Sequence, residues 1–213
     1  MIYQLIRQEW LVQRKVHHIE LYSLIFFTFF AIITSLSNNP HDLEHIGPIF
    51  CLSYIPLALF GITPLLLKPD IDDGTLELLL ASVQGYEIII SKLLVTALNN
   101  IIGFCSSLPF IMLFFHLTWL KLLLIGIVAM ILILLSSALA LLIAAIQAYF
   151  QGNTNFLVLL IMPLIIPSIV ISGVLMQDIT RLYLLNMLVG IDLLLIPVII
   201  YLSTYLLQNI YSY

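Results

Sequence analysis

Few side chains in this sequence could do chemistry, and most of them lie inside or beside apolar runs. His41 and His45 stand at i, i+4, and His116 sits three residues before Trp119. Such imidazoles can ligate a metal, or serve as plain interfacial histidines. No HExxH, CxxCH or paired-cysteine zinc spacing occurs, so no metal site is expected. Cys51 and Cys105 fit no redox spacing and read as small packing residues, and His17 and His18 read as inert. Asp192, Asn99 and Asn100 fall within apolar runs, where a polar group is expensive and faces an interior partner or water. They form a polar path, or Asp192 makes an interhelical hydrogen bond to Asn99, Asn100, Ser136 or Ser137. No histidine lies deep in an apolar run and no aspartyl pair appears, which disfavours an intramembrane protease. One cluster stands apart. Asp70, Asp72, Asp73 and Glu77 crowd the stretch from Lys68 to Ser82, with long apolar runs on both sides.

The elements that must position these groups follow from composition. The chain is 62% hydrophobic and 8% charged, against roughly 25% charged in a soluble domain. That is an all-α polytopic membrane protein. Spanning takes about 20 apolar residues, and six segments qualify: 21–37, 47–67, 92–115, 120–146, 156–176 and 182–207. Pro48, Pro56 and Pro64 read as kinks in the second, and Pro163 with Pro167 as a hinge or a bent wall in the fifth. Between spans lie a polar loop at 38–45, a tight turn at 116–119, an uncharged loop at 147–155 and a short segment at 177–181. No repeat or linker divides residues 1–213, so one domain is expected.

Residues 1–20 alternate at helical spacing. Ile2, Leu5, Ile6, Trp10, Val12, Val16 and Ile19 share a broad face, with Arg7, Arg14, Lys15 and His18 on the other. A basic amphipathic helix of this kind lies at the lipid surface. Glu9 and Glu20 and the late apolar run argue against a cleavable signal. Six spans place both termini on one side. With the N-terminus inside, Arg7, Arg14, Lys15, Lys68 and Lys92 are inner and only Lys121 and Arg181 outer, five against two. The positive-inside rule then puts the acidic island in the cytoplasm. There, Asp72 or Asp73 can cap a following helix, Gly74 frees the turn before Thr75, and Leu76, Leu79, Leu80 and Val83 form one apolar stripe with Glu77 at its edge. Gln84-Gly85 ends that helix, and 70–91 as a whole leads back into the membrane.

Asp72-Asp73-Gly74-Thr75-Leu76-Glu77-Leu78-Leu79 resembles the DGTLEQL signature of the haem exporter B family, the permeases of the ABC-type cytochrome c maturation system. Ser91-Lys92-Leu93 resembles the family's SKL at the start of span three. The run from Pro163 to Ile171 resembles its PLxIPxxI, and Ile46-Gly47-Pro48-Ile49 the opening of span two. The landmarks cover the whole chain. Two family features are missing: Lys68 is the only basic residue just before the island, and Gln151–Asn155 carries no charge.

The resemblance implies an ABC-2-exporter-like fold in a bacterial inner membrane or its mitochondrial counterpart. It implies a coupling helix, with Asp72, Asp73, Gly74, Thr75, Leu76, Glu77, Leu79 and Leu80 docking a separate ABC ATPase subunit. No Walker-type GxxxxGK[ST] occurs, so ATP would act through that partner and the chain is not itself an enzyme. It also implies haem as cargo, or ATP-driven release of a loaded haem chaperone, beside haem-handling membrane proteins in a dimer or hetero-oligomer. His41, His45 and His116 are the haem-ligand candidates, since axial ligation uses His or Met, but no cofactor is assigned as bound. An ABC-2-type permease for a drug or a lipid-linked glycan, and a non-transporting scaffold, stay open. No basic cluster points to nucleic acid.

Overall fold

The computed structural model describes residues 2–16, 18–150, 156–178 and 181–210, without the side chains of Pro40, His41 and 156–160. Its described residues form an all-α bundle: α1 (Ile2–Lys15), α2 (Ile19–Ser37), α3 (Pro40–Gly61), α4 (Lys68–Asp72), α5 (Thr75–Ser82), α6 (Gly85–Phe115), α7 (Trp119–Phe150), α8 (Phe156–Gln177) and α9 (Tyr183–Asn209). Five of them, α2, α3, α6, α7 and α9, are long and apolar enough to cross a membrane. The chain is a helical membrane-spanning protein. α8 adds a further apolar helix of 22 residues.

Three boundaries differ from the sequence reading. The loop expected at 38–45 shrinks to Asn38–Asn39, because Pro40, with its φ already helical, starts α3. His41 and His45 are therefore on a helix. Span three does not begin at Lys92. α6 starts at Gly85 and runs unbroken for 31 residues, about 46 Å at 1.5 Å per residue. That exceeds a hydrocarbon core of about 30 Å, so one end of α6 stands clear of it. The loop expected from Gln147 is also shortened, since α7 continues to Phe150, and Gln151–Asn155 lie outside the described residues.

α7 is the most enclosed of the spanning helices and α9 the least. The reason is compositional. Ser136, Ser137, Ala140 and Ala144 are small residues that let neighbours approach, and all are buried. On α9 a narrow stripe of Leu184, Leu188, Asp192, Ile199, Ser203 and Leu207 faces inward, while Leu193, Leu194 and Tyr201 are among the side chains facing out. Two apolar clusters fill the bundle. One gathers Leu52, Phe104, Phe115 and Ile125; the other gathers Leu66, Leu76, Ile88 and Leu139 near the island.

α1, α2 and α6 pack in a rising register. Glu9 meets Lys92, Gln13 meets Thr96 and Asn99, Ser23 meets Asn100, and Phe27 meets Phe104 edge-on at 5.0 Å. α1 thus climbs beside α6 instead of lying on lipid by its apolar face alone. The left-handed φ of 48° at His18 lets the chain turn between α1 and α2. Gly103 allows the close crossing: a Cβ there would stand 2.5 Å from the Ser23 Cβ.

Candidate functional site

The island is two short helices joined by a left-handed turn. α4 opens with Pro69 in its first turn and ends at Asp72, with Asp73 as its C-cap. Gly74, at φ 72°, sits between the helices and is the N-cap of α5. Neither Asp72 nor Asp73 caps α5 by a side-chain bond, contrary to expectation. The reason is the positive φ, which only glycine adopts without strain, so glycine takes the capping position and both aspartates are left exposed. The hydroxyl of Thr75 instead reaches back to donate to the Asp70 carbonyl at 3.2 Å.

The apolar stripe of α5 is real but turned differently from the expected dock. Leu76 is fully buried in the bundle's own core beside Leu66, Ile88 and Leu139. Leu79 and Leu80 are half-buried against the same cluster. The outward face of α5 carries Glu77, Leu78, Ala81 and Ser82, and Leu78 is 73% exposed. A stripe that could meet either a partner or the bundle meets the bundle first, because the island is tethered over it at both ends. Leu76 is an anchor, and Leu78 is the exposed leucine that the sequence reading passed over.

Beneath the island lies a buried joint. The Lys92 ammonium is within 2.6 Å of an Asp70 oxygen and 2.9 Å of a Glu9 oxygen. Lys92 is 2% exposed. One ammonium therefore ties three elements: α1, the island and α6. The network continues inward. The Gln13 amide donates to Glu9 at 2.9 Å and to the Thr96 hydroxyl at 3.0 Å, and the Asn99 amide donates to Gln13 at 3.1 Å. Asn100 donates to the Thr96 carbonyl and accepts from the Ser23 hydroxyl. A buried ammonium is tolerable only when such partners satisfy it.

Sequence reasoning missed Glu9, Gln13, Asp70 and Thr96. The signal was present: the projection that gathers Ile2, Leu5, Ile6 and Val12 also sets Glu9 and Gln13 in the middle of their face. Polar groups at the centre of an apolar face mark a polar partner across it. Val16, assigned to that face, is instead exposed.

The polar path of Asn99, Asn100 and Asp192 is not assembled. Asn99 and Asn100 serve the α1–α2–α6 network. Ser136 and Ser137 donate to their own helix at Leu132 and Ile133. Asp192 is buried on α9, and among the described residues its Oδ1 has no hydrogen-bond partner. None of the four expected partners reaches it. Pro163 and Pro167 lie on the exposed side of α8, which stays helical through both. His45 and His116 are exposed, and the His41 side chain lies outside the described residues, as does His17. His116 closes α6 in a left-handed cap and rims an apolar cavity of about 940 Å³ between α6 and α7 with Cys105, Met112, Trp119 and Met130. Among the described residues no group of three His, Cys, Asp or Glu could hold a metal ion.

The chain is 36% identical over 211 residues to an uncharacterized protein of Rickettsia prowazekii (strain Madrid E), covering 99% of this chain and 98% of that one. It is equally 36% identical, with the same coverage, to an uncharacterized protein of Rickettsia conorii (strain ATCC VR-613 / Malish 7). It belongs to their family. No family model matches the chain. Because the likeness to these bacterial family members runs end to end, it takes in the island, α1 and every spanning helix together.

Proposed function

We propose that this chain is the membrane permease subunit of an ABC-type transporter complex, of the kind the haem exporter B family supplies to cytochrome c maturation. The observation that carries the reading is the island. It is fixed to the bundle by Leu76 and Lys92 yet presents Glu77, Leu78 and Ala81 outward between α3 and α6. An element held on one side and free on the other suits a relay between a soluble ATPase and the spans.

α8 counts as the sixth span: its 22 residues reach about 33 Å, enough for a core of about 30 Å. Both termini and the island then face the cytoplasm of a bacterial inner membrane. Charge placement supports that orientation. At the far end Lys121 pairs with Glu44 at 2.6 Å and Arg181 with Asp178 at 3.0 Å. At the island end Arg7, Lys15 and Lys68 stay exposed, as the positive-inside rule favours.

In this reading ATP is hydrolysed by the partner. Its closure shifts α4 and α5, and the motion enters α6 through Leu76 and the Lys92 joint. The cargo is haem, or the work is release of a loaded haem chaperone, done beside haem-handling membrane proteins. The test is genetic. Loss of the gene should abolish covalent haem on c-type cytochromes, read by haem staining of membrane proteins, and the wild-type chain should restore it. Normal staining without the gene would overturn the reading.

A further inference from the structure

Between α1 and the island runs a groove of about 490 Å³. Val12, Leu78 and Leu79 give it apolar walls, and Glu9, Asp70 and Asp73 give it carboxylates. Among its described lining residues Lys92 is the only cation. That ammonium is already shared between Glu9 and Asp70. Two carboxylates on one ammonium leave a net negative charge on the floor of the groove, and exposed Asp73 adds a second at the rim. The Gln13 amide is a neutral donor to Glu9, so the excess charge is unmatched by any described cation of the groove, and a second cation would be attracted to it. Asp70 is the more accessible of the two carboxylates, with its side chain 23% exposed against 15% for Glu9. The nearby cations of the chain do not supply the missing charge: Arg14 is paired with Glu20, and Arg7, Lys15 and Lys68 do not line the groove.

We propose that this groove seats a basic side chain of the soluble partner, an arginine or lysine flanked by apolar residues, which pairs with Asp70 and Asp73. The inference rests on the reading that a soluble protein docks at the island, and it names the chemistry of the contact. The apolar walls suit the hydrocarbon stem of such a side chain, and the acidic floor suits its head. An anionic group such as a lipid phosphate is repelled by the same floor.

The test uses the full-length chain in the membranes of its own bacterium, with photoreactive benzoylphenylalanine in place of Leu78 and the crosslinked segment sequenced by mass spectrometry. The expected adduct lies in a soluble ATPase, within a few residues of an Arg or Lys flanked by apolar side chains. Asp73→Asn should reduce it roughly tenfold, the loss expected for one charge-assisted contact. Reversing the partner's basic residue to Glu should abolish it, and Asp73→Lys should restore it in that background. Asp73 is exposed and outside the joint, so these variants keep the fold. Adducts with lipid alone, no adduct, a captured segment without a basic residue, or indifference to Asp73→Asn would each overturn the proposal. A basic segment captured from a protein with no ATP-binding machinery would leave the groove's assignment standing and remove the transporter reading.

Discussion

Lys92 holds a position that its neighbours alone make tolerable. Its ammonium is buried against Glu9 and Asp70, and no water can replace them cheaply. Lys92→Met should therefore destabilise the chain by roughly 3–5 kcal/mol, because it strands two carboxylates. Adding Glu9→Gln and Asp70→Asn to the same variant should recover most of that loss. Thermal unfolding in nanodiscs reads both, and a triple variant no better than the single one would show that packing, not charge, sets the cost. Leu76 and Leu78 separate the two faces of α5 in the same way. Leu76→Ser removes a fully buried side chain, and large-to-small core changes of this kind cost about 2–5 kcal/mol. Leu78→Ser touches an exposed one and should change stability by less than about 0.5 kcal/mol. Equal losses at the two positions would mean that α5 is not oriented as described.

At the scale of elements, the close crossing of α2 and α6 turns on Gly103. Gly103→Leu should push the helices apart, costing about 1–3 kcal/mol, and break the Ser23–Asn100 hydrogen bond. A disulfide-trapping pair across α2 and α6 would report the separation as lost crosslinking. The helices themselves were largely legible in the sequence, because 20-residue apolar runs have few other uses. What escaped was orientation. A surface helix can turn its apolar stripe to a partner or to its own bundle, and spacing does not distinguish them, so the burial of Leu76 and the exposure of Leu78 are not legible in it. On α1 the apolar residues dominate the inward face, and Glu9 and Gln13 are inconspicuous among them. The surroundings of Asp192 are not legible for a different cause: they depend on which helix lies across from α9, which no local pattern encodes.

The whole molecule is a membrane-spanning bundle with a partly exposed island at one end, belonging to a family whose rickettsial members match it along nearly their full length. Its two ends differ in how charge is handled. At one, Lys121 and Arg181 are neutralised by nearby acids; at the other, a shared ammonium binds α1, the island and α6 into one unit. In the proposed relay, a push on the island would reach α6 and the N-terminal helix together. The most direct test of that account is co-purification of an ABC ATPase with the full-length chain from bacterial membranes, compared between wild type and a Glu77→Lys, Leu78→Asp variant. Both changes lie on the exposed face of α5, so the variant should remain in the membrane at wild-type levels. The ATPase should co-purify with the wild type and be lost from the variant. An ATPase retained in full by a correctly inserted variant, or absent from both, would contradict the island's role as its dock.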